Sequence, residues 1–262
     1  MTIMSNNIKK GLLVFAVALA FGSVSCQEHA LSGTVPEITP IVKTTLPHDP
    51  QAFTQGLFFD NGRLYESTGL YGKSSMRILD AATGAIIKNQ PVASVFGEGC
   101  ARMGNSIFQI TWQEQQAIIY SFPDLAEKRT AIYAGEGWGL TTDGRNFIMS
   151  TGSDTLYVRD TDFAIVRKIP VRMNNEPVFR LNELEYVNGL IYANVWFTDY
   201  ILEINPKNGR VMRKIDCKTL IRKEQPESQE NVLNGIAYDP SAGSFYITGK
   251  NWKNIFVVTI PR

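Results

Sequence analysis

Short apolar runs alternate with turn dipeptides along most of the chain from Ile41 onward. In the first group of such runs, the separating dipeptides are Asn61-Gly62, Tyr71-Gly72 and Thr83-Gly84. Short apolar or alternating runs bounded by glycine and asparagine are typical of β-strands that are joined by tight turns. The pattern therefore predicts an all-β chain.

The group of strands starts five times along the sequence. Each new apolar strand begins at a comparable pair of residues: Gly56-Leu57, Gly99-Cys100, Gly139-Leu140, Glu183-Leu184 and Gly235-Ile236. A spacing of about 40 to 50 residues is that of a four-stranded propeller blade. A β-sandwich or an irregular barrel would leave this recurrence unexplained. We therefore predict a five-bladed β-propeller.

The last of the five units contains only three strands and ends with Ile255 to Ile260. The strand Ile41 to Leu46 has no partner of its own, and it would complete this blade and close the ring. Closure removes the exposed edges that an open sheet would leave. Residues 41–262 would then form one propeller domain. The charged segment Ile221 to Gln229 is expected as an insertion between blades four and five, with helical character.

The N-terminus has the pattern of an export signal. Lys9 and Lys10 precede the apolar run Gly11 to Phe21, which is too short to span a bilayer comfortably. Small residues then lead to Cys26, as in the processing site of bacterial lipoproteins, although Ser23 stands where leucine is usual. The alternative is ordinary signal cleavage nearby, with no role for Cys26.

We therefore expect residues 1–25 to be a signal peptide of the lipoprotein type and residues 26–40 to be a tether. The mature protein would be exported in a bacterium, either periplasmic or attached to a membrane only through a lipid on Cys26. Cys100 and Cys217 would then lie in an oxidising compartment, where they could pair or remain two buried thiols.

Composition and charge restrict the class of partner. Hydrophobic residues make up 44% of the chain and charged residues 19%, which is enough for a substantial core. Without residues 1–25 the chain has 24 basic and 25 acidic residues. No basic block remains that could neutralise phosphates, so nucleic acid is not an expected partner.

Histidine is scarce in this sequence. Only His29, in the predicted tether, and His48, before the first blade, are present. A Ser-His-Asp triad or a His-ligated zinc site is therefore not expected. The sequence also has no glycine-rich phosphate loop between a strand and a helix. Carboxylate, amide, lysine and aromatic side chains remain as the groups that could carry chemistry.

The ends of the predicted strands carry the candidate site. Glu98 lies between Gly97 and Gly99, and flanking glycines would allow a tight turn and leave its side chain uncrowded. In a propeller the inner strands and the ends of the second strands face one mouth of the central channel. The residues expected there are Phe53, Gln55, Phe96, Glu98, Trp112, Trp138, Asn182, Glu183, Trp196, Lys250 and Trp252.

Each of these residues also has a purely structural interpretation. Tryptophans often cap the interfaces between blades, and amides such as Gln55 and Asn182 often serve turns or bonds between blades. Glu98 could belong to an ion pair between blades, and Lys250 could be a solvated loop residue. The position of all four tryptophans at blade edges favours the functional interpretation.

Several of these segments, in order from about His48 to the C-terminus, resemble those of the glutamine cyclotransferase family, the plant-type glutaminyl-peptide cyclotransferases that also occur in bacteria. The matching segments are Ala52-Phe53-Thr54-Gln55-Gly56-Leu57, Phe96-Gly97-Glu98-Gly99, Thr111-Trp112, Gly137-Trp138-Gly139-Leu140, Leu181-Asn182-Glu183-Leu184-Glu185, Asn194-Val195-Trp196 and Leu233-Asn234-Gly235-Ile236-Ala237. Cys100 departs from the family pattern, in which a larger aliphatic residue is commoner, and the lipoprotein-like leader departs from the plant pattern.

The resemblance implies a five-bladed propeller that converts the N-terminal glutamine of peptides or proteins to pyroglutamate and releases ammonia. It assigns proton transfer to Glu98 and implies that no cofactor is required. A structural divalent ion in the central channel is compatible with the resemblance, and so is a monomeric state. Gln55, Asn182 and Lys250 would bind the amide, the peptide carbonyl or the oxyanion, in an order that the sequence does not assign. The aromatic enclosure for the substrate would consist of Phe53, Phe96, Trp112, Trp138 and Trp196.

Two other functions remain compatible with the residues. One is a calcium-dependent propeller hydrolase of the lactonase type, with oxygen ligands from Glu98, Asn182, Glu183 and Asn234. The other is a propeller without catalytic activity that uses its aromatic mouth to bind peptides.

Overall fold

A computed structural model describes residues 34–92 and 94–261, without the side chains of residues 127 and 128. The predicted signal peptide, Cys26 and His29 lie outside these residues, so the predictions about them stay predictions. Within the described part of the chain, no helix is long and apolar enough to cross a membrane.

Five sheets follow one another around the ring, and each is built on four antiparallel strands, which confirms the predicted five-bladed propeller. In blades 1 to 4 these four strands are consecutive in the sequence. The strands of blade 1 are Thr54–Asp60, Arg63–Thr68, Ser75–Asp80 and Ile86–Pro91. Those of blade 2 are Gly97–Met103, Ser106–Thr111, Gln116–Ser121 and Glu127–Ile132. Those of blade 3 are Leu140–Thr142, Phe147–Met149, Thr155–Arg159 and Ile165–Pro170. Those of blade 4 are Leu181–Val187, Leu190–Val195, Tyr200–Ile204 and Val211–Asp216. A small hairpin, Arg172–Met173 with Glu176–Pro177, connects blades 3 and 4.

Blade 5 is completed by the N-terminal strand, as predicted. Its first three strands are Leu233–Asp239, Ser244–Gly249 and Asn254–Thr259. The strand Ile41–Pro47 pairs antiparallel with the third of these, with Ile41 opposite Thr259. The two ends of the propeller are therefore joined within one sheet, which closes the ring.

Part of the segment predicted as a tether is ordered against blade 4. Glu37–Ile38 pairs in parallel with the outer strand Val211–Asp216, and the backbone N–H of Lys214 donates to the carbonyl of Pro36 at 2.9 Å. Blade 4 therefore has a fifth, short strand at its outer edge. The alternation of the sequence before Ile41 was too short to predict this pairing.

An α-helix, Lys218–Glu224, lies between blades 4 and 5 and overlaps the predicted insertion. It ends at Gln225, whose φ of 53° is left-handed. The buried carboxylate of Glu224 accepts hydrogen bonds from the backbone N–H of Lys253 and from Nδ2 of Asn254, both at 2.7 Å. The helix thus fixes the loop that follows the second strand of blade 5.

The hydrophobic core lies between neighbouring blades. One cluster joins Leu57 and Leu64 of blade 1 to Tyr246 and Val257 of blade 5, and similar clusters fill the other interfaces. Full burial of a leucine such as Leu64 contributes about 1.5–3 kcal/mol. The two described cysteines, Cys100 and Cys217, are buried in such clusters and unpaired, so they are thiols rather than a disulfide.

Glu183 closes the centre of the ring. The other four blades have glycine at the corresponding position of the inner strand, whereas blade 4 has this glutamate. Its carboxylate accepts from the backbone N–H of Leu57 at 3.2 Å and of Ile236 at 2.8 Å, in blades 1 and 5. One side chain therefore links three blades across the channel.

Candidate active site

A cavity of about 220 Å³ opens where the inner strands meet the ends of the second strands. All nine residues predicted to be catalytic or substrate-binding line it, together with Leu70, which was not predicted. The lining residues are Phe53, Gln55, Leu70, Phe96, Glu98, Trp112, Trp138, Asn182, Trp196 and Lys250. Leu70 has a left-handed φ of 82°, and the sequence carries no signal for it.

Glu98 is held by its two glycines in a way that differs from the prediction. Both glycines lie in the extended strand Gly97–Met103 rather than in a turn. A Cβ atom on Gly99 would come within 2.3 Å of the backbone nitrogen of Leu140, and one on Gly97 within 2.7 Å of the carbonyl oxygen of Thr68. Glycine is therefore required here because neighbouring backbones approach closely.

The two carboxylate oxygens of Glu98 have different surroundings. Oε1 accepts a hydrogen bond of 2.8 Å from Nε2 of Gln55, whereas Oε2 has no hydrogen-bond partner among the described residues. The side chain is only 4% exposed. This burial raises the pKa of Glu98 well above its usual range; the charge of Lys250 opposes the shift, and Glu136 and Glu114 add to it. A carboxyl group whose pKa is raised in this way binds a proton more readily than an exposed carboxylate, which suits it to take a proton and return it.

Lys250 is the cation of the cavity. Its Nζ atom lies 4.7 Å from the centre of the Phe53 ring and 5.8 Å from that of Trp196. Burial lowers the pKa of Lys250 to about 8, although the charges of Glu98 and Glu230 oppose the shift. Aromatic faces attract a desolvated ammonium, so the rings hold this charge in place without a paired carboxylate.

Aromatic rings form most of the wall. Phe96 meets Phe53 edge to face at 6.2 Å and Trp112 at 5.5 Å between ring centres. On the other side, Trp138 and Trp196 are nearly perpendicular, with centres 5.5 Å apart. One group of rings thus connects blades 1 and 2, and the other connects blades 3 and 4. Together they form a small apolar enclosure that limits the access of bulk water to Glu98.

Glu136 joins the two halves of this wall and was missed in the sequence. Its Oε2 atom accepts hydrogen bonds from the indole N–H of Trp112 at 3.0 Å and of Trp138 at 3.1 Å. A signal was present, because Gly135-Glu136-Gly137 repeats the Gly-Glu-Gly pattern around Glu98 in the next blade. The carboxylate fixes both indoles at the rim of the cavity.

Asn182 presents a side-chain amide that has no partner in the described part of the chain. The residue is buried, and its side chain makes no hydrogen bond to any described residue, while its backbone carbonyl accepts from Oγ of Ser150 at 2.7 Å. The side-chain amide is therefore available to a ligand in the cavity. The alternative interpretation, in which the Asn182 side chain serves a turn or a bond between blades, does not fit this arrangement.

Two residues expected at the mouth do not line the cavity. Both carboxylate oxygens of Glu183 accept hydrogen bonds from backbone N–H groups of blades 1 and 5. Trp252 is fully buried between blades, and its indole N–H donates to the carbonyl of Asn231 at 2.8 Å. Asn251, with a left-handed φ of 56°, turns the chain between Lys250 and Trp252, so that the lysine faces the cavity and the tryptophan the core.

His48 supports the site without lining it. Its Nδ1 atom lies 2.7 Å from the carbonyl of Trp252, and its Nε2 atom lies 2.8 Å from Oε1 of Glu66. Oγ1 of Thr54, the neighbour of Gln55, donates to the same Glu66 oxygen at 2.7 Å. Burial lowers the pKa of His48, but the charge and hydrogen bond of Glu66, together with the bond to the carbonyl of Trp252, raise it overall. Through its bond to Thr54, Glu66 links His48 to the strand that carries Gln55.

One oxygen ligand of the calcium-dependent alternative is engaged elsewhere. Both Glu183 oxygens accept backbone N–H groups of other blades. Among the described residues, no group of three or more His, Cys, Asp and Glu side chains is arranged to hold a metal ion. The calcium-dependent alternative would therefore depend on Glu98 and on amide oxygens.

Comparison with known proteins agrees with this arrangement. Residues 14–260 match the family model for glutamine cyclotransferase. A glutaminyl-peptide cyclotransferase from Arabidopsis thaliana is 37% identical over 256 residues, which cover 95% of this chain and 79% of the plant protein. The crystal structure of Myxococcus xanthus glutaminyl cyclase superposes with a TM-score of 0.82 at 36% identity, over 87% of this chain and 98% of that protein. The chain belongs to the glutamine cyclotransferase family.

Proposed function

We propose that the chain is a glutaminyl-peptide cyclotransferase that converts the N-terminal glutamine of a peptide to pyroglutamate and ammonia, with Glu98 as the proton shuttle. Glu98 carries this proposal: it is a buried carboxyl group in an aromatic cavity, with one oxygen bound by Gln55 and the other without a partner among the residues that the structure describes. Family membership supports the reaction, and the geometry of Glu98 supports its role.

The reaction forms a bond between the α-amino nitrogen and the side-chain carbonyl carbon of the same glutamine. Attack by the neutral amine gives a tetrahedral centre, and the Glu98 carboxylate takes the proton that the amine nitrogen must lose. The Glu98 carboxylic acid then gives this proton to the departing amide nitrogen, which leaves as ammonia. Glu98 ends in its starting state, and the atoms of substrate and products balance. The aromatic walls favour the folded-back substrate conformation that this attack requires.

The structure supports different roles for Gln55, Asn182 and Lys250, which the sequence did not assign individually. Gln55 already donates to Glu98, so it holds the shuttle. The Asn182 side-chain amide is buried and makes no hydrogen bond to a described residue, and the Lys250 ammonium lies over the Phe53 ring without an ion pair to a described carboxylate. These two are the groups that would donate to the substrate carbonyl oxygens and to the oxyanion.

The predicted N-terminal signal adds a proposal about location. We propose that the enzyme acts on peptides outside the cytoplasm and is attached to a membrane only through a lipid on Cys26. Membrane fractions of cells that express the full chain should contain it, whereas Cys26→Ser should release it. Equal solubility of the two forms would overturn the anchor but leave the reaction untouched.

Peptide substrates with two related N-termini test the reaction. A peptide that starts with glutamine should lose one ammonia in the presence of the protein, as seen by mass spectrometry, in buffer with and without a chelator. The same peptide with asparagine first should not react, because its shorter side chain would have to close a strained four-membered ring. Binding without ammonia release would instead favour a peptide-binding propeller, and loss of activity on chelation would favour a metal-dependent hydrolase.

A further inference from the structure

A directed chain of hydrogen bonds runs from the backbone of blade 1 to Glu98. Nδ2 of Asn234 donates to the carbonyl oxygen of Thr54 at 2.9 Å and to Oε1 of Gln55 at 3.3 Å. Nε2 of Gln55 in turn donates to Oε1 of Glu98 at 2.8 Å. Asn234 comes from blade 5 and Glu98 from blade 2, so the chain joins three blades.

The direction of this chain is set at its backbone end. A carbonyl oxygen can only accept, so Asn234 must present its Nδ2 atom to Thr54. The same Nδ2 atom then faces Gln55, which must present its Oε1 atom in return. This leaves Nε2 of Gln55 facing Glu98. If the Asn234 amide were turned round, its oxygen would face two acceptors.

Burial fixes the orientation of both amides in this chain. Asn234 is fully buried, and Gln55 is 3% exposed, so water does not substitute for a lost partner. Oδ1 of Asn234 has no hydrogen-bond partner among the described residues. An unpaired buried oxygen is costly, which indicates that the Nδ2 bonds are what keep the amide in this orientation.

The orientation of the Gln55 amide determines which oxygen of Glu98 can bind a proton. Because Gln55 donates to Oε1, that oxygen stays an acceptor, and the proton taken from the substrate must sit on Oε2. If Gln55 were free to turn, its amide oxygen would face Glu98 and would stabilise the protonated form instead. The charged groups that also act on Glu98 are Lys250, Glu136 and Glu114.

We infer that Asn234 is a positioning residue of this enzyme: by orienting the Gln55 amide, it keeps Oε1 of Glu98 an acceptor and makes Oε2 the oxygen that exchanges protons with the substrate. This inference rests on the proposed role of Glu98 as the shuttle. Asn234 itself does not line the cavity.

Two substitutions at this position test the inference through the pH profile of kcat/KM for a glutamine-initiated peptide. In Asn234→Asp the new carboxylate can only accept, so Gln55 should turn towards it and withdraw its donor from Glu98. The acid limb should move to higher pH by about one to two units, which corresponds to the loss of a hydrogen bond to a charged group. Asn234→Ala removes the donor without adding charge, so its limb should move in the same direction by less. KM should change little in either variant.

Asn194→Asp is the matched control for an added buried charge. Oδ1 of Asn194 accepts from the backbone N–H of Gly235 at 3.0 Å, and its Nδ2 atom has no partner among the described residues. Aspartate keeps the accepting oxygen, adds a carboxylate to the same region and does not touch Gln55. This variant should therefore move the acid limb clearly less than Asn234→Asp does.

Three outcomes would overturn the inference. The first is an unshifted acid limb in both Asn234 variants, even where the thermal midpoint or the total rate falls, because that is the result of a purely structural role. The second is an equal shift in Asn194→Asp, which would reduce the effect to added charge. The third is a shift of opposite sign in Asn234→Ala. The proposed function fails separately, by full activity of Glu98→Gln, whatever the Asn234 variants show.

Discussion

Gln55 donates a hydrogen bond of 2.8 Å to one oxygen of Glu98, whereas the other oxygen has no partner among residues 34–92 and 94–261. The two residues come from the inner strands of neighbouring blades, which approach closely because glycines follow both residues. A Cβ atom on Gly56 would lie 2.5 Å from the backbone nitrogen of Cys100. The propeller therefore presents one carboxyl group in an asymmetric setting, held on one side and open to substrate on the other.

Gly99→Ala should show how tightly this setting depends on backbone contact. The added methyl group would meet the backbone of Leu140, so the strand that carries Glu98 must shift. We expect a loss of about 1–3 kcal/mol in the free energy of unfolding, measured in urea, together with a fall in kcat.

Gly104→Ala is a useful comparison for this substitution. Gly104 has a left-handed φ of 57° and open space around it, so alanine should cost about 1–2 kcal/mol through strain but leave kcat unchanged. A normal kcat in Gly99→Ala would show that the close approach does not position Glu98.

Lys250→Arg should change the alkaline side of the pH profile. The pKa of Lys250 is lowered to about 8 by burial, so the wild-type cation is lost as the pH rises through that value. Since arginine stays charged, the fall in kcat/KM above about pH 8 should disappear in the variant. Lys253→Arg, an exposed neighbour, should keep the wild-type profile. An identical alkaline limb in Lys250→Arg would mean that the charge of Lys250 is not needed.

Glu136→Ala should weaken substrate binding more than catalysis. Removal of the carboxylate frees the indoles of Trp112 and Trp138, so the wall of the cavity loses its fixed geometry. We expect KM to rise several-fold, as for the loss of about 1 kcal/mol of binding, with kcat within a factor of about two.

The charge of Glu136 has a separate, smaller effect that Glu136→Gln isolates. Glutamine keeps an accepting oxygen for an indole, so KM should stay close to that of the wild type. Because the Glu136 charge raises the pKa of Glu98, its removal should move the acid limb of kcat/KM to lower pH. A shift to higher pH, or an unchanged KM in Glu136→Ala, would contradict these roles.

The residues that line the cavity could be predicted from the sequence, whereas the residues that hold them in place could not. Residues such as Glu98 and Trp196 could be placed because the blade repeat fixes which strand ends face the mouth. Asn234 and Glu136 occupy equally regular positions, but their roles depend on which atoms of other blades they meet, and no spacing encodes that. Trp252 shows the reverse case, since a single left-handed residue, Asn251, turns it away from the cavity and into the core.

Glu183 was expected at the mouth because it follows Asn182 in one of the recurring segments where an inner strand begins. Adjacent residues of a strand point to opposite sides, and this alternation is disturbed by an irregularity in register between Leu181 and Leu184. In the other blades the equivalent position is glycine, which gives no hint that a side chain could cross the channel. Only the folded ring brings the backbone N–H groups of Leu57 and Ile236 within reach of one carboxylate.

Ammonia release by Glu98→Gln tests the central claim most directly. The substitution keeps the size of the side chain and a partner for Gln55 but removes the group that takes and returns the proton. With a glutamine-initiated dipeptide we expect a fall in kcat of at least about 100-fold, with substrate binding measured by calorimetry within a few-fold of the wild type. Ammonia release at the wild-type rate by Glu98→Gln would contradict the account.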